Sequence, residues 1–99
     1  MRFMLKVQVP TEAGNQALQS GKLPEVVGGF LETYRPESAY FLVENGQRTM
    51  VAFVNMDDVS QMPAMGEPFF LHLGAQVTFT PAMNAEDLKT GLSKVFPGA

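Results

Sequence analysis

The sequence predicts a single α+β domain of 99 residues, and three observations support that class. Residues 2 to 9 alternate between apolar and polar side chains, which is the period of a β-strand. Residues 23 to 34 place apolar side chains at the spacing of one helical face. Asn45-Gly46 joins two β-rich segments and is a strong signal for a two-residue hairpin turn. The chain therefore mixes strands with helices within one domain.

The first half of the chain is predicted to form a strand, two helices and a hairpin. Pro10 ends the strand, a short helix follows over residues 12 to 19, and Ser20-Gly21 separates it from a second helix that Pro36 closes. Gly28-Gly29 lowers the helix propensity of the second helix. We therefore expect a close approach there to the sheet or to the backbone of a partner.

The second half is predicted to contain a broken helix, a last strand and a C-terminal helix. Asp57 or Asp58 caps a helical segment that ends at Gly74, and residues 75 to 80 form the strand. Asn84 opens the C-terminal helix, because an acidic residue follows three positions later.

The resulting element order is β-α-β-β-α-β followed by a C-terminal helix. This order is that of the ferredoxin-like fold, a four-stranded antiparallel sheet with helices on one face. We therefore expect residues 1 to 99 to form a single ferredoxin-like domain.

The hairpin carries apolar side chains on both of its faces, and this feature predicts what covers the sheet. Phe41 and Val43 are expected to pack under the helices together with Leu5 of the first strand. Tyr40 and Leu42 then lie on the opposite, open face, where exposure to water would leave a large apolar patch. Two copies packed sheet to sheet would cover that patch and enclose a small space. We predict a homodimer through the open sheet face, in the form of a barrel, with a small apolar ligand inside.

Composition excludes several classes of function. The net charge of −3 offers no basic patch, so we expect no nucleic acid partner. No apolar segment is long enough for a membrane helix, and residues 1 to 10 lack the core of a signal peptide. We therefore expect a cytoplasmic protein without a membrane partner. With one His and no Cys, we expect no metal site and no cofactor, although haem ligation by a single His is formally open.

The catalytic residues cannot be assigned from the sequence, but candidates for lining a cavity or binding a ligand can. They come from the open sheet face and from the only His of the chain. The candidates are Lys6, Tyr40, Leu42, Phe53, Asn55, His72 and Thr78.

Three of these candidates have more ordinary interpretations. On a helix over residues 59 to 73, His72 flanks an apolar stripe, with Met65 on the far side. We favour a partly buried His that donates to a backbone carbonyl over an acid/base or haem-ligating group. A mid-strand Lys such as Lys6 more often extends its ammonium group to solvent, and Tyr40 is more often an interface residue.

A family resemblance adds to this interpretation. The segments that carry it are VPTEAGNQAL, AYFLVENGQRTMVAFVNMDD and EPFFLHLGAQVTFTPAMNAEDL, which resemble a group of short bacterial proteins without an established activity. Size, element order and the doubly apolar sheet are similar to the dimeric α+β barrel superfamily, whose small bacterial members pair two ferredoxin-like sheets around a central cavity. That superfamily includes muconolactone isomerases, cofactor-free monooxygenases, haem-binding enzymes and stress-responsive proteins, so the resemblance transfers no functional residue.

Two hypotheses from different functional classes follow. The preferred one is a homodimeric module that binds a small hydrophobic or aromatic molecule in a sheet-lined cavity. The alternative is a small cofactor-free isomerase, cyclase or monooxygenase that acts on a cyclic substrate, with Lys6, Tyr40 or His72 moving protons. A dimer with a filled core and no ligand is the structural alternative to both.

Overall fold

A computed structural model describes residues 1 to 98, which form one sheet and a set of helices. The strands are β1 (Arg2–Val9), β2 (Ser38–Glu44), β3 (Gln47–Asn55) and β4 (Gln76–Pro81). The α-helices are α1 (Thr11–Ser20), α2 (Lys22–Tyr34), α3 (Met62–Leu73) and α4 (Ala85–Ser93), and Val59–Gln61 forms a single 3-10 turn before α3. The predicted α+β class is confirmed. None of the helices in this described part of the chain is long and apolar enough to cross a membrane.

The four strands form one antiparallel sheet with the order β2-β3-β1-β4. This arrangement is compatible with a ferredoxin-like fold. The hairpin turns at Asn45 and Gly46, both of which have positive φ, and it pairs Tyr40 with Val51 and Leu42 with Thr49. A two-residue turn at Asn45-Gly46 requires this register, so the turn predicted from the sequence is confirmed.

The hydrophobic core lies between one face of the sheet and the helices α1, α2 and α3. Every second residue of β1 from Phe3 onward is buried on that face. The Phe69 ring of α3 is buried and meets the Phe30 ring of α2 edge-on, with 5.5 Å between the ring centroids. This contact joins α2 to α3 over the middle of the sheet.

The helices do not cover β2, which corrects the expectation for Phe41 and Val43. Both side chains point to the helix side of the sheet, since they pair with Met50 and Arg48 there. They are nevertheless 59% and 75% exposed. The helix layer packs around Phe69, over the central strands, and leaves the edge strand β2 without a covering helix.

The start of α3 also differs from the predicted pattern. The helix begins at Met62 instead of residue 59, because the capping interaction at Asp58 forms a 3-10 turn first. The tighter turn changes the register, since it advances the chain by three residues per turn. Met65 is therefore buried, whereas the sequence pattern placed it on the far side, and Val59 is exposed.

Asp58 caps this turn, as the sequence predicted for Asp57 or Asp58. Its Oδ1 atom accepts a hydrogen bond from the Ser60 backbone N–H at 2.8 Å, and the Gln61 side chain accepts from the Asp58 N–H. Hydrogen bonding from Ser60, through its side chain and then its backbone, lowers the pKa of the Asp58 carboxyl. The interaction favours the ionised carboxylate.

The lowered pKa of Asp58 makes the stability of this turn depend on pH. A depressed folded-state pKa contributes stability above the unfolded-state pKa, and that contribution is lost as the pH falls through the folded-state value. We expect Asp58→Ala to lower the urea midpoint at pH 7 and to differ little from the wild type once the carboxyl is protonated, well below about pH 4. Asp58→Asn is the control, because an amide oxygen still accepts the Ser60 hydrogen bond at every pH. A constant difference between Asp58→Ala and the wild type across this range would contradict the assignment.

The glycines of α2 were expected to mark a close approach to the sheet or to a partner. The sheet does not approach them, since a Cβ added at Gly28 or Gly29 would meet open space. By contrast, Gly74 ends α3 with φ of 58°, a left-handed conformation that glycine adopts most easily.

We expect alanine substitutions at Gly28 and Gly74 to change the free energy of unfolding in opposite directions. Gly28→Ala should raise the free energy of unfolding by about 1 kcal/mol, because alanine is the better helix former at an open helical site. Gly74→Ala should lower it by about 1 kcal/mol, because alanine resists the left-handed conformation. Urea unfolding of the two variants measures both changes. A Gly28→Ala variant that loses affinity between copies would instead indicate a close partner backbone.

Candidate binding surface on the open sheet face

The candidate site is the face of the sheet opposite to α1, α2 and α3, which we call the open face. The pairing register arranges most of its side chains in three rows that cross all four strands. From β2 to β4 the rows are Ser38, Phe53, Met4 and Thr80; then Tyr40, Val51, Lys6 and Thr78; then Leu42, Thr49, Gln8 and Gln76.

The apolar members of these rows lie together near the β2 edge. Tyr40 is 62% exposed, Leu42 is exposed, and Met4, Val51 and Phe53 are partly exposed beside them. The β4 edge of the same face carries amide and hydroxyl side chains only. One half of the open face is thus an apolar patch, and the other half is polar.

A polar cluster borders the patch at the hairpin end. The Lys6 Nζ atom donates to Glu44 Oε1 at 2.8 Å, and Gln8 Nε2 donates to the Glu44 carbonyl oxygen at 3.1 Å. Both side chains reach over β3, and Thr49 beneath them is buried and donates to the Gln47 carbonyl oxygen. Lys6 therefore neither points freely into solvent nor stands alone on the face.

The Lys6–Glu44 ion pair adds little to the stability of the fold but places charged groups beside the apolar patch. The Lys6 and Glu44 side chains are each about a third exposed. A pair with this exposure contributes at most about 1 kcal/mol to stability. It does place a cation, a carboxylate and an amide beside an apolar patch. Apolar surface with a few converging polar groups is the usual lining of small-molecule sites in proteins.

Two further candidates lie at other parts of the same face. Asn55 is at the end of β3, where its Oδ1 accepts from the N-terminal ammonium at 2.8 Å and its Nδ2 donates to Asp57 at 2.9 Å. Its polar atoms are thus engaged at the rim of the face. Thr78 is exposed on the edge strand β4, in the row of Lys6.

The structure does not bring His72 together with the other six candidates. It is exposed on α3, in the helix layer, and lines a groove between α2 and α3 near Lys22 and Glu25. The sheet separates it from the open face. Among residues 1 to 98, no three His, Asp or Glu side chains lie close enough to one another to hold a metal ion.

Sequence reasoning missed a second apolar feature, on the helix side of the sheet. An apolar groove of about 350 Å³ runs between β2 and α2. We call it the β2 groove. The signal for it is present in the sequence, since Phe41 and Val43 are apolar, but the pattern does not reveal that the helices stop short of them. The lining includes Val9, Leu23, Val27, Phe41, Val43 and Met50.

Sequence reasoning also missed Gln8 and Glu44, which complete the polar cluster. Alternation places Gln8 on the open face, but only the strand order shows that it reaches Glu44 across β3. Comparisons of the chain with models of protein families, with curated proteins and with solved structures each found no match.

Proposed function

We propose that this protein is a homodimeric module that binds a small hydrophobic or aromatic molecule between two ferredoxin-like sheets, packed open face to open face as in the dimeric α+β barrels. The observation that carries the proposal is the apolar patch of Met4, Tyr40, Leu42, Val51 and Phe53 on a face that α1, α2 and α3 leave uncovered. Contiguous apolar patches of this kind mark interaction surfaces.

The open face combines apolar and charged side chains, and this combination favours a ligand cavity between the two sheets more than an interface without water or ligand. A sheet interface without a ligand would be lined by apolar side chains that interdigitate. Here the apolar patch lies next to Lys6, Gln8 and Glu44, which need water or polar partners when a second sheet covers them. A cavity with apolar walls and a few converging polar groups meets both needs.

The enzymatic alternative has one observation in its favour. Lys6 lies in the same row of the open face as Tyr40 and forms a hydrogen-bonded pair with Glu44, on the face where a ligand would lie. A positioned pair of this type is able to hold and transfer a proton. The alternative is thus a cofactor-free isomerase, cyclase or monooxygenase that uses Lys6 and Glu44, without a part for the distant His72.

Native mass spectrometry of the protein, purified without added ligand, tests the proposal. We expect a dimer that carries a discrete additional mass, which identifies the bound molecule. A monomer would overturn the dimer, and a dimer without added mass that also fails to bind the apolar fluorophore N-phenylnaphthylamine would overturn the cavity.

The Lys6→Met variant then separates a binding module from an enzyme. Methionine keeps the length of the side chain and removes its charge. A binding module returns the identified molecule unchanged and keeps most of its affinity for it. An enzyme converts the molecule to a product of different mass or structure, and the variant slows that conversion by at least about 100-fold.

A further inference from the structure

Helix α4 has almost no packing contact with the rest of its own chain. All of its residues are exposed. Its tie to the sheet is near its first turn, where Arg2 contacts Asp87 and the Ala82 N–H donates to the Arg2 carbonyl oxygen. The chain has a radius of gyration of 15.9 Å and a longest dimension of 56 Å. A compact chain of this length would have a radius of about 13 Å.

The same helix carries an apolar stripe that suits it for packing. Leu88 and Leu92 are one turn apart, and Val95 and Phe96 continue the stripe in the turn after α4. All four side chains are exposed in the single chain. Helices of this length, nine residues, are marginal in water unless an apolar face packs against something. α4 therefore needs a surface that its own chain does not supply.

The β2 groove is an unfilled surface of the matching kind. Phe41 and Val43 form one wall and are largely exposed, while Leu23 and Val27 of α2 form the other. The groove lies between the strand β2 on one side and the helix α2 on the other. A helix placed there would complete the helix layer over β2.

The α4 helix of the same chain does not reach this groove. β4 and β2 are the opposite edges of the sheet, three strand spacings or about 14 Å apart. Pro81 pairs with Phe3, whereas the groove extends to Val9, roughly 20 Å farther along β1. In agreement with this separation, all residues of α4 are exposed and none of them lines the groove. The layer of α1, α2 and α3 also lies between α4 and the groove.

We propose that two copies of this chain exchange their C-terminal helices, so that α4 of each copy docks its apolar stripe into the β2 groove of the other. The exchange is reciprocal, as a twofold dimer requires. Each docked helix covers Phe41 and Val43 of the copy that provides the groove. The same contact covers Leu88 and Leu92 of the copy that provides the helix. The exchange rests on the dimer of the proposed function and is independent of any ligand.

Photo-crosslinking tests the exchange directly. The chain contains no Cys, so a benzophenone maleimide attached to Leu92→Cys labels one position only. This labelled chain is mixed and re-equilibrated with an isotope-labelled chain that carries no probe. Thr90→Cys with the same label is the matched control, because residue 90 lies on the opposite side of α4.

We expect the Leu92→Cys probe to crosslink to peptides of the isotope-labelled chain that contain Val27 or Val43, with a yield at least about tenfold above the control, because docking raises the local concentration of the probe at the groove. Val43→Asp in the isotope-labelled chain should abolish the crosslink, whereas Val59→Asp, an exposed position outside the groove, should preserve it. Crosslinks within one chain, to α4 of the second copy, or at equal yield from both probes would each overturn the exchange.

The same samples separate this inference from the proposed function. A dimer in native mass spectrometry that gives no groove crosslink leaves the sheet-to-sheet dimer in place and overturns the exchange. A groove crosslink in a dimer that binds neither a purified ligand nor N-phenylnaphthylamine supports the exchange and overturns the cavity. A monomer overturns both.

Discussion

Replacing Phe69 with alanine is expected to lower the free energy of unfolding by about 3 to 5 kcal/mol. Phe69 is 1% exposed, packs its ring against Phe30, and lies among residues from both the sheet and the helices. Its removal leaves a cavity where α2 and α3 meet the sheet. Because small domains are stable by only about 5 to 15 kcal/mol, the variant should be partly unfolded under mild conditions.

Phe70→Ala is the control for this substitution. The neighbouring residue has the same side chain on the same helix but is 45% exposed. We expect its replacement to cost less than about 1.5 kcal/mol, because nearly half of its surface already lies in water in the folded chain. Urea unfolding followed by circular dichroism measures both variants. Equal losses would show that α3 has a different register from the one described.

Replacing Tyr40 with aspartate is expected to convert the proposed dimer into a monomer. Tyr40 is largely exposed on the open face of one chain, so the substitution should leave the fold nearly as stable as before. In a face-to-face dimer it would bury two unpaired carboxylates, one from each copy, and each costs several kcal/mol. We expect the dissociation constant of the dimer to rise by at least about 100-fold.

Leu71→Asp serves as the control for Tyr40→Asp. Leu71 is an exposed apolar residue of similar accessibility, but it lies on α3, on the other side of the sheet. Sedimentation velocity over a range of concentrations should show the control as a dimer like the wild type. If Tyr40→Asp also stays dimeric, the dimer does not form through the open face.

The elements that sequence reasoning predicted correctly are those in which neighbouring residues decide the outcome. Alternation predicts β1, and the positive φ that an Asn-Gly turn needs predicts the hairpin register. Asn84 was predicted as a cap, and the other cap was narrowed to Asp57 or Asp58, because a side-chain oxygen and a nearby backbone N–H interact within three residues. The open-face positions of Lys6, Tyr40 and Thr78 follow from the same alternation.

The features that sequence reasoning did not reach depend on residues far apart in the chain. The burial of Met65 depends on a 3-10 turn whose extent is not visible in a helical pattern. The separation of His72 from the open face follows from which side of the sheet α3 covers. The Lys6–Glu44 pair needs the strand order, since β3 lies between the two strands that carry it.

The sequence by itself determined the strands, the hairpin register, the cap at Asn84 and the two apolar faces of the sheet, because these depend on local dihedral preferences and on side-chain periodicity. Only the tertiary structure decided how far the helix layer extends, because the packing of Phe69 against Phe30 positions α2 and α3 over the central strands. That packing leaves Phe41 and Val43 uncovered and α4 without a surface in its own chain. The uncovered strand β2 and the unpacked helix α4 both result from how the core packs over the whole domain. A local pattern in the sequence does not predict that packing.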